Sequence, residues 1–182
     1  NELPCQIILE RSTIPGFRTR VVFSGTVPPM GYAVYHFNQK GGDVRHSCDG
    51  DADVLDGGIL TVKTMNENGG VEIRDNRDGS VYAITPEVRA DDGDVWSFNT
   101  CGFGDALEPF TPISAARTES GDIKNVVRTR FGFRSSKMEQ RITVYPGRDY
   151  IDIAYRVDWD EPHTALKYRI TTPSAPDRIV AG

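Results

Sequence analysis

Between residues 151 and 159 the chain reads "IDIAYRVDW", and apolar and polar positions alternate without a break. Ile151, Ile153, Tyr155, Val157 and Trp159 share one face, with Asp152, Arg156 and Asp158 on the other. This period of two is that of a half-buried strand with one side toward a core. The preceding "MEQRITVY" alternates as well, and "PGRD" at 146–149 supplies Pro and Gly where a turn needs them. The two runs predict an antiparallel hairpin.

Upstream, "KNVVRTRFGF" (124–133) is β-rich and follows a turn at "ESGD" (119–122). "VEIRDNRDGSVYAI" (71–84) predicts two strands around "DNRDG", an Asp-Gly hairpin signal. "GILTVKT" (58–64) predicts one more strand, and "CQIILE", "RTRVVFS" and "GYAVYHF" predict three at the front. No window holds apolar residues at i, i+3, i+4 and i+7, and the 18 Gly and 11 Pro are spread throughout. The predicted class is all-β, an antiparallel sandwich.

One stretch breaks this pattern. "NQKGGDVRHSCDGDADVLDGG" (38–58) is polar and rich in Gly and Asp, which reads as a linker or long loop. The expected division is therefore the end of a small β domain at 1–38, a linker at 39–53 and a β-sandwich domain at 54–182.

Composition narrows the function classes. The chain has 182 residues, 38% hydrophobic and 9% aromatic, enough for a globular core and too apolar for disorder. No apolar run approaches the ~18 residues that cross a bilayer, and "NELPCQIILE" is not a signal peptide. Net charge is −5 with scattered bases, so neither nucleic acid nor membrane is an expected partner. Cys5, Cys48 and Cys101 are odd in number and far apart, which fits neither a disulfide framework nor a zinc knuckle. A reducing compartment, the cytoplasm, is the expected location.

Several stretches invite a chemical reading. Asp49, Asp51 and Asp53 sit at alternate positions like the start of a calcium loop, but Val54 replaces the turn glycine and Leu60 the bidentate glutamate. A solvated linker is the better reading. His36, His46 and His163 have no ligand spacing, and His36 is expected in a hydrogen-bonded position of an apolar strand. Asp158 and Asp160 on a strand would lie roughly 7 Å apart, a separation compatible with inverting glycoside cleavage. Any D-x-D on a strand achieves it. The simpler reading packs Trp159 into the core and uses the acids of "VDWDEPHTAL" to bond turn amides. Trp96, in "DDGDVWSF", reads first as core and second as a sugar platform.

These stretches carry a resemblance. "VDWDEPHTALKYRI" resembles the C-terminal half of glycoside hydrolase family 38 α-mannosidases, through Val157, Asp158, Trp159, Glu161, His163, Leu166 and Lys167. The end, "ITTP", departs from the family's "FP"-like close. "SSKMEQRITVYPGRDYIDI", "ESGDIKNVVRTRF", "GDVWSF", "VEIRDNRDGSVYAI" and "VPPMGYAVYHF" resemble further segments of that family in the same order, over about 28–170.

The resemblance implies a mutarotase-like β-supersandwich with further strands beyond Gly182. It implies that zinc, the nucleophilic aspartate and the acid/base aspartate belong to an N-terminal barrel outside this chain, so the chain alone is expected to be inactive. Trp96 and, more weakly, Asp94 are the implied sugar contacts. Asp158, Trp159, Glu161 and His163 carry over as fold-determining residues. The implied partners are a mannose-containing oligosaccharide and the catalytic barrel. Two other classes remain open: a free-standing carbohydrate-binding module, and a mutarotase using His163 and Glu161, the latter by fold analogy alone.

Overall fold

The computed structural model describes residues 2–8, 20–38, 52–91, 93 and 103–174. Eleven strands and no helix occur among them, and every strand pair is antiparallel. β1 (Cys5–Ile8) and β2 (Arg20–Phe23) form a hairpin sheet of their own. β3 (Val54–Asp56), β4 (Leu60–Met65), β5 (Gly70–Asp75), β6 (Val81–Ala90) and β11 (Thr164–Thr171) form a five-stranded sheet in the order β11-β6-β5-β4-β3. β7 (Thr111–Glu119), β8 (Asn125–Phe133), β9 (Ser136–Val144) and β10 (Ile151–Asp158) form a four-stranded sheet in the order β10-β9-β8-β7.

The two larger sheets face each other across one apolar layer, the arrangement that lets alternating strands bury one side each. At one end Leu55, Val62 and Val71 meet Val127, Ile142 and Val144. At the other, Val88 of β6 packs with Phe110, Phe131, Phe133 and Met138, joined by Tyr155, Trp159 and Leu166. Between the two clusters lies a polar pair, Thr129 opposite Gln140 in the β8–β9 register. Gln140 Nε2 donates to the Gly69 carbonyl at 2.8 Å and to Tyr155 Oη at 3.2 Å, which ties both sheets together. Gly69 has φ +76°, and a side chain there would press on Pro86 and Met138, so a turn that reaches Gln140 requires glycine.

The expected hairpins are present. β9 and β10 pair from Val144↔Ile151 to Lys137↔Asp158, around a turn in which Gly147 has φ +73°. β5 and β6 are joined through Asp75, whose backbone N–H donates to the Ser80 carbonyl and whose carbonyl accepts from Gly79, at φ +79°. β3 and β7 arise where no strand was expected. The expected strand at "GYAVYHF" does not form. Met30 turns the chain at φ +55°, and Pro28 and Pro29 supply no N–H. Tyr35 instead stacks edge-on against Phe23 at 5.1 Å and donates its hydroxyl to the Thr26 carbonyl. His36 is accordingly exposed and outside any strand, a second correction.

The N-terminal hairpin is docked, not free. Gln6 Oε1 accepts from the backbone of Ile123 and Lys124 at 3.2 and 2.9 Å, and Gln6 Nε2 donates to the Lys124 carbonyl at 3.0 Å. Among the described residues no helix is long and apolar enough to cross a membrane.

Candidate functional site

The chain after β10 crosses from one sheet to the other through "WDEPH", and this corner is built by the β8–β9 turn beneath it. β8 and β9 pair up to Phe133↔Ser136, leaving Arg134 and Ser135 as a two-residue turn with Arg134 at φ +49°. That conformation is unfavourable for a side chain with a Cβ. Arg134 is held there by a two-point pairing, Nε to Glu108 Oε1 at 2.7 Å and Nη2 to Oε2 at 3.2 Å, and its guanidinium lies 5.0 Å over the Phe133 ring. The same guanidinium holds the Glu108 carboxyl below the usual carboxylate range, and Glu108 raises the Arg134 pKa in return.

Glu161 closes the turn from above. Its Oε1 accepts the Ser135 N–H at 2.8 Å, the Ser136 N–H at 3.1 Å and the Ser136 hydroxyl at 3.0 Å. Ser136 Oγ in turn accepts the Asp160 N–H at 2.8 Å, so hairpin and corner bond each other reciprocally. Trp159 stacks on Phe133 at 5.8 Å and 9°, and Phe133 in turn tilts against Phe110 at 5.7 Å. His163 has φ +53° and its carbonyl accepts the Asp91 N–H at 2.9 Å. The His163 and Asp158 side chains are exposed, and neither has a hydrogen-bond partner among the described residues.

This arrangement is ill suited to acid–base chemistry. A nucleophile or general acid needs a free lone pair or proton aimed at a space where substrate can sit. One oxygen of Glu161 is filled by three donors, Glu108 is neutralised by Arg134, and Asp158 and Asp160 face solvent. The Glu161–His163 pair of a mutarotase is not assembled either, since Glu161 points down onto the turn. Among the described residues no three His, Cys, Asp or Glu side chains stand where they could hold a metal ion, so the zinc implied by the resemblance has no ligand set among them. Asp53, the described member of the Asp49–Asp51–Asp53 run, bonds Asn66 and gives its carbonyl to the Thr64 N–H at 2.8 Å. Asp49, Asp51, His46, Cys48 and Cys101 lie outside the described residues.

A second feature opens on the outer face of β6 and β11, a depression of about 400 Å³ lined by Glu87, Arg89, Phe103, Lys167, Tyr168 and Arg169. Glu87 is clamped by Arg169 at 2.6 Å and Arg89 at 3.4 Å. Lys167 Nζ sits 3.5 Å from the Phe103 ring centroid, a cation–π contact that covers the face a sugar would use. The segment leaving β6 departs and returns beside this depression. Gly104 N–H donates to the Ala90 carbonyl at 2.9 Å, Ala90 N–H to the Asp105 carbonyl at 3.0 Å, and Arg89 Nε to the Gly104 carbonyl at 3.0 Å. Asp94 and Trp96, the expected sugar contacts, belong to the segment between these stems and lie outside the described residues.

Sequence reasoning identified Trp159 and the acidic corner but missed Arg134, Glu108 and the Glu87 clamp. Arg134–Glu108 spans 26 residues and no local motif marks it. Glu87 and Arg169 are visible only once β6 and β11 are known to be neighbours.

In comparison with known families, the model described as glycosyl hydrolases family 38 C-terminal domain matches residues 55–181. Among curated proteins none matches the chain.

Proposed function

The chain belongs to glycosyl hydrolases family 38 through its C-terminal domain, and from that premise we propose that it is a non-catalytic β-sandwich portion of a retaining, zinc-dependent α-mannosidase. In this reading the sandwich supports a catalytic barrel elsewhere in the parent polypeptide. It lends one wall of the sugar pocket through the segment that carries Asp94 and Trp96. Residues 1–38 close a smaller β domain, 39–53 connect it, and 54–182 form part of a supersandwich whose further strands come later in the parent. The exposed thiol of Cys5 fits a reducing compartment such as the cytoplasm.

The observation that carries the reading is the fixed base of that segment. Paired hydrogen bonds at Ala90 and Gly104 hold both stems on a rigid sheet, which is how scaffold folds position loops that touch ligand. In this reading the two-carboxylate machinery of a glycosidase belongs to the barrel.

Trp96→Ala in the full-length parent tests this. It is expected to lower kcat/KM for an aryl mannoside by about tenfold or more, as for loss of a stacked aromatic contact, with an unchanged melting temperature. Hydrolysis of that substrate by the isolated 182-residue chain would overturn the proposal. The alternative, a free-standing carbohydrate-binding module, requires millimolar binding of mannobiose to the isolated chain in calorimetry, where a supporting wall gives none.

A further inference from the structure

We propose that the outer face of the four-stranded sheet holds an oxyanion site, centred on Arg128 and Arg141 and taking a phosphate dianion, free or as a monoester on a sugar. Bases that are scattered along the chain converge here through strand register. Residues paired across antiparallel strands share a face, and the inward packing of Phe131, Met138 and Ile142 defines which face is outer. One row across the sheet reads Ala116, Arg128, Arg141, Ala154, and the next reads Ser114, Arg130, Glu139, Arg156. Four guanidinium groups thus surround one carboxylate. The other charges of the face lie in the flanking rows. On one side Lys137 stands opposite Asp158. On the other, Glu119 is bound to Lys124 at 2.8 Å and Asp152 takes the Tyr145 hydroxyl at 2.7 Å. Strands that extend this sheet at either edge lengthen the rows without covering them.

The two central rows are costly without an anion. Like charges directly opposite each other across a ladder destabilise a sheet, and Arg128 stands opposite Arg141. Glu139 offsets only part of this. It takes Arg130 Nε at 3.1 Å, while Arg128 Nε lies 3.4 Å from it without hydrogen-bonding it. Arg141 and Arg156 are exposed and form no ion pair among the described residues. Ala116 and Ala154 flank the arginine pair, so the row has long cationic arms at its centre and low methyl groups at its ends. The guanidinium fork fits phosphate oxygens two at a time. With four positive charges against one negative, a dianion matches the excess better than one more carboxylate does. The site does not depend on the mannosidase reading.

Calorimetric titration of the full-length polypeptide that contains this chain tests the proposal, with inorganic phosphate, a hexose phosphate and acetate as probes at constant ionic strength. Arg128→Gln and Arg141→Gln are each expected to weaken phosphate binding about tenfold. Lys63→Gln, an equal charge loss on the outer face of the five-stranded sheet, is expected to leave it unchanged. Tighter binding of the hexose phosphate assigns the site to a sugar ester, and equal binding assigns it to the free ion. Arg141 is exposed, so its variant stays informative if Arg128→Gln folds poorly. In phosphate-free buffer Arg141→Gln is expected to melt no lower than the parent, because it removes a like-charge pair, and added phosphate is expected to raise the parent's melting temperature alone. Absence of phosphate binding overturns the proposal. So does acetate binding as tight as phosphate, an equal loss in Lys63→Gln, or a marked loss of stability in Arg141→Gln without phosphate.

Discussion

On β9 the inward side chains Ser136, Met138, Gln140, Ile142 and Val144 are all at or below 1% exposed. On β10, its ladder neighbour, Ile151, Ile153 and Tyr155 are only half-buried and Val157 is 36% exposed. β11 across the sandwich behaves like β10. Leu166 packs inward, but Tyr168 and Ile170 on the same face are 36% and 67% exposed. All three strands alternate equally well. Alternation reports which way a side chain faces, while its covering depends on what lies beyond the next strand. The centre of this sandwich is closed, and the side bounded by β10 and β11 is open, bridged by the Tyr155–Tyr168 ring pair at 4.4 Å.

The sharpest test of this contrast is a matched pair of truncations. Phe131→Ala at the closed centre removes a ring that is 1% exposed and is expected to cost about 3–5 kcal/mol. Ile170→Ala on the open side is expected to cost less than about 0.5 kcal/mol. Urea unfolding of the two variants measures both, and comparable losses would mean that the open side is covered in solution.

The corner offers a smaller contrast between neighbours. Glu161→Ala leaves two turn N–H groups and a serine hydroxyl without their acceptor and is expected to cost about 2–3 kcal/mol. Asp158→Asn, three residues away with no partner among the described residues, is expected to stay within about 0.5 kcal/mol. Equal effects in thermal melts would show that the corner is held by net charge and not by the Glu161 hydrogen bonds.

Much of this was legible in the residues and part could not be. The β9–β10 and β5–β6 hairpins announce themselves because regular alternation flanks Pro-Gly or Asp-Gly. β7, "TPISAARTE", hides because six of its side chains are exposed and two irregularities break its period. "GYAVYHF" misleads in the other direction, since strand-favouring residues form a ladder only where a neighbour supplies hydrogen bonds. At the site, Trp159 was readable from its place in the alternation. The role of Glu161 was not, because its acceptors' partners lie 25 and 26 residues upstream in a turn whose shape depends on Arg134.

The smallest expected effect uses the tyrosines of the open side as probes. Burial, followed by the neighbouring Tyr155, pushes the Tyr168 phenol up to about 12, against about 10 for a free tyrosine. Burial raises Tyr155 as well, partly offset by its bond from Gln140. A phenol that ionises later in the folded state favours folding while it is neutral. Its contribution is therefore complete below about pH 10 and is lost as pH rises toward about 12. Stability measured across that window should fall, and Tyr168→Phe, which cannot ionise, should flatten the fall while leaving stability near neutrality little changed. Its hydroxyl contacts only Met138 Sδ, at 3.8 Å, so little else is lost. An identical alkaline decline in the variant would place the sensitivity elsewhere, in Tyr145, whose hydrogen bond to Asp152 also pushes it up to about 12. Tyr145 follows the end of β9, beside the turn into β10, and Tyr168 lies on the facing sheet, so the two outcomes assign the alkaline weakness to different sides of the opening.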